Sequence, residues 1–399
     1  MPPTTKFNNS YLLTNRYYPA EQLSSYIYPL PPGQLYFYMA PGQYNYNYNA
    51  YKPVNASPTK VVPATFAQQI EKDLKIAIAN GCPQITVYVH GLANYLSDTC
   101  NELGLYGANL QKQGYNGLVI AFDWPSYGDY ESWYNYGSLP YSFPPTATSG
   151  TIRDNINGSI QSFITMLSLL SGICRKYNAK LNFMCHSEGN YMLMLAMNYV
   201  TFTPTAFMNQ VLLLGADINV GALQTRGKSP WSGQLAVLNP YAVATTVYWS
   251  SHDDALPSSE GWTNYHNPQY PKRLGLHGPS SFGSRAMIPI AYGLDCSLVV
   301  NRTVMNKTGV PSSVSVHSSY FYIPQVLQDM AQTLNGVPPA KVTNRVSARQ
   351  PNGRAFTMKL KSSLLTGPFV PSGKRLETLK PKARRANTRA GKKKGGDKG

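Results

Sequence analysis

Cysteine is scarce and shows no pairing pattern. The five cysteines, Cys82, Cys100, Cys174, Cys185 and Cys296, are odd in number and widely scattered, with no C-x-x-C among them. That excludes a disulfide frame and a thiolate metal site, and reads as reduced, buried thiols. No charged-then-apolar leader opens the chain, so the expected compartment is the cytoplasm. No stretch approaches about 20 uninterrupted apolar residues, so no transmembrane segment is expected. H-E-x-x-H, a P-loop and a G-x-G-x-x-G beside a strand are all missing, and neither a metal nor a nucleotide cofactor is implied. Acid is short as well: 18 Asp and Glu face 35 Lys and Arg, a net charge of +17. That imbalance is local. From Lys341 onward 17 Lys and Arg meet only Glu377 and Asp397, and everything before carries +2.

What is present is enough apolar residue, 43% of 399, for a sizeable core. Three regions are expected. Residues 1–60 are rich in Tyr, Pro and Asn and read as an adherent or disordered arm. Residues 61–337 read as the globular domain. Residues 338–399 read as a basic, largely disordered tail, with a brief Ala355-to-Val370 stretch able to pair as a strand. The Lys/Arg-rich segment 374–398 would suit a polyanion, nucleic acid or an anionic surface, held by charge.

Within the domain, strands and helices alternate. Gln84–Val89, Gly117–Asp123, Leu181–His186, Asn209–Asp217, Ala242–Ser251 and Cys296–Arg302 are predicted as strands from their β-branched, apolar runs. Helices are predicted over Ala67–Ala79, Ser97–Gln113, Thr151–Tyr177 and Ile323–Leu334, and one after the Leu181 strand. The predicted fold is α/β, a mostly parallel, doubly wound sheet whose site lies at the carboxyl ends of its strands.

One stretch organises the rest. Leu181 to Asn190 is an apolar strand that turns sharply at Cys185-His-Ser-Glu-Gly and continues as a helix. The spacing is that of a nucleophile elbow, with Cys185 and Gly189 as the small flanking residues and Ser187 at the corner. Such a turn also aims the N–H of the next residue, Glu188, at a developing oxyanion. A serine needs a base and the base needs a carboxylate, in the chain order Ser, acid, His. His90 precedes the serine and His186 touches it, so neither fits. His317, on a loop after the last predicted strand, is the candidate base. His266 and His277 lie in the long loop 257–289, and His252 sits beside the acid segment. The acid is open among Asp217, Asp253 and Asp254. The turn Val89-His90-Gly91-Leu92 offers the N–H of Leu92, or else Gly91, as a second oxyanion donor.

These segments together resemble the α/β-hydrolase superfamily, in particular its bacterial lipase- or esterase-like branch of unknown function. The resemblance is carried by seven ordered matches over about residues 61–335. They are Val89-His-Gly-Leu-Ala, Trp124-Pro-Ser-Tyr-Gly, Cys185-His-Ser-Glu-Gly-Asn, Gly215-Ala-Asp-Ile-Asn, Ser250-Ser-His-Asp-Asp-Ala-Leu, Arg273-Leu-Gly and His317-Ser-Ser-Tyr-Phe. It implies an α/β-hydrolase fold and a serine esterase without a cofactor, with Ser187, Asp253 and His317 as the triad. Asp254 then falls on a variable position. Glu188 replaces a Met of the family pattern and Leu92-Ala93 replace Phe-Asn. The expected substrate is a small-molecule or lipid-like ester. The competing reading is a non-catalytic binding protein on the same fold whose basic tail does the work.

Overall fold

In the computed structural model the described residues are 6–16, 30–41, 59–94, 96–126, 152–201, 206–225, 233–260, 272–279, 287–348 and 353–360. The predicted sheet forms, and it is wider than the predicted domain. Its eleven strands run β10-β11-β9-β8-β7-β6-β4-β5-β1-β2-β3. They are β1 (Asn9–Thr14), β2 (Tyr36–Pro41), β3 (Thr59–Val61), β4 (Gln84–Val89), β5 (Leu118–Asp123), β6 (Lys180–His186), β7 (Met208–Leu214), β8 (Ala242–Trp249), β9 (Ala291–Asp295), β10 (Arg345–Ser347) and β11 (Ala355–Met358). The pairings from β1 through β5, β4, β6, β7, β8 and β9 to β11 are all parallel. Among the described strands only β2 and β10 are reversed, so the β1–β2, β2–β3 and β10–β11 pairings at the two edges are antiparallel.

A parallel sheet must be covered on both faces, which its strands show by alternation. Ile85, Val87 and Val89 of β4 point into one core and Tyr88 into the other; Val211 and Leu213 of β7 oppose Leu212 and Leu214. The first core is covered by α1 (Pro63–Ala79), α3 (Ile152–Lys176) and α4 (Gly189–Tyr199), the second by α2 (Leu96–Lys112) and α7 (Pro324–Leu334). Among the short helices between β8 and α7 are α5 (Leu274–His277) and α6 (Arg302–Thr308). In α3, Ile156, Ile160, Phe163, Leu167 and Leu170 recur at three- and four-residue steps and all are buried, each worth about 1.5–3 kcal/mol. Asn155–Lys176 of this helix is long and apolar enough by composition to cross a membrane, yet half of that window is buried, with its apolar stripe on the sheet.

Three expectations change. The segment 1–60 contributes three strands, because Tyr11, Leu12 and Leu13 form a buried run that pairs with β5. The sheet also passes beyond residue 337 through β10 and β11, the second being the start of the Ala355 stretch. The last long-chain strand is Ala291–Asp295 and not Cys296–Arg302. The Cys296 run is a turn closed by Val299 and Val300 N–H on the Cys296 carbonyl at 2.8 and 2.7 Å, in which Cys296, Val299 and Val300 are buried without strand pairing and Leu298 is exposed. The basic segment 374–398 lies outside the described residues.

Candidate active site

β6 ends at His186, and the next residue, Ser187, sits in the left-handed region at φ 53°. A non-glycine residue there costs about 1–3 kcal/mol, and the surroundings hold it in place. The Ser187 N–H donates to the Leu214 carbonyl at 3.0 Å, and its carbonyl accepts from Asp217 N–H at 3.2 Å and Asn190 Nδ2 at 2.9 Å. Bulk beside the turn is excluded. A Cβ on Gly91 would lie 2.7 Å from Ser187 Cβ, and one on Gly189 would lie 2.5 Å from the Val89 carbonyl oxygen. Glu188 is the N-cap of α4, at φ −71° and ψ −15°, so the positive end of an 11-residue helix begins beside the serine. The Glu188 side chain itself is buried and is not among the residues lining the adjacent cavity.

Ser187 and His317 line one cavity of about 330 Å³, with Gly91, Leu92, Asn94, Glu102, Asp217 and Leu256 among its other walls. His317 lies on the loop between α6 and α7. Its Nδ1 is 2.7 Å from Asp253 Oδ2, while Asp253 Oδ1 accepts from Ala255 and Leu256 N–H at 3.0 and 2.9 Å. A carboxylate anchored that way fixes the proton on Nδ1 and leaves Nε2 able to accept one. Burial works against a charge on His317, but Asp253 above all, then Asp217 and Asp254, raise its pKa above the ordinary imidazole value of 6.5.

Asp254 serves the backbone and not the ring. It accepts from Val316 and His317 N–H at 2.9 and 3.0 Å and meets Arg302 at 3.2 Å. Asp217 is turned to Arg273 at 2.9 Å and to Ser259 at 2.8 Å, which gives the Arg273-Leu-Gly segment a structural task. His277 pairs with Glu260 at 2.9 Å, His252 is exposed, and His266 lies outside the described residues. His186, set aside in the sequence, has a role: its Nε2 donates to the His317 carbonyl at 2.9 Å, with the rings 4.6 Å apart. Burial, and then the His317 charge, push its pKa down to about 3, so it is a neutral donor that fixes the His317 loop. No spacing rule marks it.

The turn after β4 is braced from three sides. Ala93 N–H donates to the Ser126 carbonyl at 2.9 Å and Asn94 N–H to Ser126 Oγ at 3.0 Å, so neither of these N–H groups is free to serve as an oxyanion donor. Ala93 adopts φ 60°, a conformation that Asn tolerates better than Ala. The position is one where the family pattern carries Asn. Trp124 stacks on His90 with centroids 5.5 Å apart and donates its Nε1–H to the His90 carbonyl at 3.0 Å. Beneath lies Asp123, fully buried, which holds Arg16 through two bonds of 2.6 and 2.9 Å and accepts from Thr14 and Thr99 hydroxyls at 2.6 and 2.8 Å. Burial opposes the Asp123 charge, but Arg16 and His90 override it and hold the carboxyl well below its usual range. The Arg16 guanidinium also donates to the Asn94 carbonyl at 2.6 Å. Neither Arg16 nor its task is legible in the sequence, since it follows a short apolar run inside a Tyr/Pro/Asn-rich segment.

A parallel sheet with a strained serine at a strand-to-helix corner, a histidine–aspartate pair beside it and a glycine turn opposite defines an α/β hydrolase. Residues 64–265 match the family described as alpha/beta hydrolase of unknown function (DUF900), and the chain belongs to that family. No curated protein matches the sequence. Among solved structures the chain is similar to TT1662 from Thermus thermophilus, at 16% identity and a TM-score of 0.25 over 47% of this chain and 75% of that one. It is also similar to EstE1, a carboxylesterase cloned from a metagenomic library, at 10% identity and a TM-score of 0.31 over 70% of this chain and 99% of that one. With overlaps so low, the fold assignment rests on the family match and the strand order.

Proposed function

We propose that the protein is a serine hydrolase that cleaves a carboxylic ester or related acyl bond through an acyl-enzyme on Ser187. The observation that carries this is the Asp253–His317 pair at 2.7 Å sharing a cavity with a serine held at φ 53°. Ser187 Oγ attacks the carbonyl carbon as His317 Nε2 takes its proton, while Asp253 holds Nδ1–H and stabilises the imidazolium. The carbonyl oxygen becomes an oxyanion between the N–H groups of Leu92 and Glu188. The tetrahedral intermediate expels the alcohol, which takes the proton back from His317. A water molecule then repeats the sequence in reverse and frees the acid and the serine. Asp254 and His186 act on His317 through its backbone.

A fluorophosphonate probe, read by mass spectrometry, should attach to Ser187. With p-nitrophenyl esters of rising chain length, Ser187→Ala should remove turnover, and His317→Ala and Asp253→Asn should each lower kcat by about 10³–10⁴. Labelling elsewhere, or none on folded protein, overturns the nucleophile. If Asp217→Asn or Asp254→Asn is the crippling change and Asp253→Asn is not, the acid is misassigned.

The clustered charge of 374–398 supports a separate proposal, a polyanion partner. Filter binding should then weaken log-linearly between about 50 and 200 mM salt and vanish when the chain stops after Leu360. Retention indifferent to salt or to that deletion would leave the segment without such a partner.

A further inference from the structure

Three carboxylates stand near Ser187 outside the His317 pair, and their surroundings differ. Glu188 is buried off the cavity, and Asp217 is neutralised by Arg273 at 2.9 Å. Glu102, on α2, lines the cavity together with Ser187 and His317, and Leu92 and Asn94 line it as well. The hydrogen bonds it accepts come from neutral groups, among them the Tyr88 hydroxyl at 2.8 Å and the Asn94 amide at 2.6 Å, both converging on Oε2. These bonds fix the carboxylate in place. They do not balance a negative charge, which in a half-buried wall is costly without a cation.

We infer that Glu102 selects for esters carrying a positive charge, with an ammonium group of the substrate supplying the cation that its neutral neighbours do not. This rests on the serine-hydrolase reading and names its substrate class. Burial first, with Asp98 on the same helix adding to it, pushes the Glu102 carboxyl up to about 7 against the Tyr88, Asn94 and Tyr106 hydrogen bonds. The residue is therefore half-neutral near pH 7 and acquires its charge just above, where a bound ammonium stabilises it. The ammonium could sit on the acyl or the alcohol side of the ester. The chemistry at Glu102 is the same for both.

The test compares two matched pairs of esters, each a cation and its carbon isostere. Butyrylcholine against 3,3-dimethylbutyl butyrate places the charge on the alcohol. The p-nitrophenyl esters of 4-(trimethylammonio)butyric acid and 5,5-dimethylhexanoic acid place it on the acyl group. The readout is the kcat/KM ratio within a pair, in which the titration of His317 cancels. In at least one pair the wild-type protein should favour the cation by about tenfold at pH 8, a difference of about 1.4 kcal/mol. That ratio should fall as pH drops through about 7, where Glu102 takes up its proton. Glu102→Gln, which keeps the shape and loses the charge, should bring the ratio near unity at every pH. A wild-type ratio near one in both pairs overturns the inference without any variant, and so does a preference that survives Glu102→Gln. If none of the four esters turns over and the fluorophosphonate does not label Ser187, the hydrolase reading itself fails and takes this with it. Turnover without preference removes only the cation.

Discussion

Two buried arginine–aspartate pairs brace the sheet, one toward each edge, and in each the arginine comes from outside the 61–337 span that the sequence marks as globular while the aspartate lies within it. On one side Arg16 grips Asp123 at 2.6 and 2.9 Å; on the other Arg345 grips Asp329 at 2.9 and 2.7 Å. In both, the two side chains are at most 1% exposed. The surroundings separate them. Arg16 also reaches the Asn94 carbonyl, and Asp123 lies 3.2 Å from His90, so that pair sits under the turn that faces Ser187. Arg345 reaches the Thr333 and Tyr248 hydroxyls at 2.7 and 3.4 Å, and its work is to pin β10 to α7 and β8. Chemically equal pairs thus have unequal consequences: one holds an edge of the fold, the other holds a part of the site.

Removing a whole flank should have the largest effect. A chain ending near Gly336 loses β10 and β11, strips Phe356 and Met358 from the second core and leaves Asp329 buried without Arg345. Each large apolar side chain is worth about 1.5–3 kcal/mol and an orphaned buried charge about 3–5 kcal/mol. Together these approach the total of about 5–15 kcal/mol that holds a domain folded. Such a chain should be insoluble or show no cooperative melt, whereas one ending after Leu360 should melt within a few degrees of the full chain. Equal melting of both would show that the C-terminal strands are decoration.

Single breaks come next. Arg16→Ala and Arg345→Ala should each cost about 3–5 kcal/mol in urea unfolding, since each abandons a buried carboxylate. Well below their melting points the two should part. Arg16→Ala should lower kcat by about tenfold to a hundredfold, short of the 10²–10³ for deleting an oxyanion donor outright. Arg345→Ala should leave kcat within about twofold. Active-site titration with the fluorophosphonate corrects for unfolded protein. An Arg16→Ala enzyme with normal kcat per labelled site would make the two pairs equivalent.

How much of this was legible follows from what local sequence encodes. The elbow was readable because its chemistry needs small residues at fixed spacing, and so Ser187 at the turn and the β4 His-Gly turn opposite it were found. Chain order pointed to His317 but left the acid open among Asp217, Asp253 and Asp254; the family pattern singled out Asp253, whose Oδ2 lies 2.7 Å from His317 Nδ1. Strands β1 and β10 were read as arm and tail, and β11 only as a stretch able to pair, because they are short, three to six residues, and sit among polar and basic residues. Their stability comes from pairing, β1 with β5, β11 with β9 and β10 with β11, and the first two are long-range contacts no local window contains. Arg16, His186 and Glu102 share that reason. Each is held by residues distant in the chain, such as those 78, 131 and 14 positions away.

The smallest expected effect asks by which route the Arg16 pair acts. His317 must be neutral to accept the serine proton, so activity should be lost as pH falls through its folded pKa, which lies above 6.5. The groups that raise it are Asp253, then Asp217 and Asp254. Asp123 and Arg16 bear on the opposite turn. In kcat/KM against pH for a neutral ester, Arg16→Ala should therefore lower the plateau and leave the acid limb where it is. Asp254→Asn, which removes one of the charges holding the imidazolium, should move that limb to lower pH by a fraction of a unit. Its plateau should also drop modestly, because an amide replaces one of the two acceptors for Val316 and His317 N–H. A limb that shifts in Arg16→Ala as far as in Asp254→Asn would mean that the N-terminal pair acts on the base and not on the oxyanion turn. The two flanks would then differ for another reason than the one their hydrogen bonds suggest.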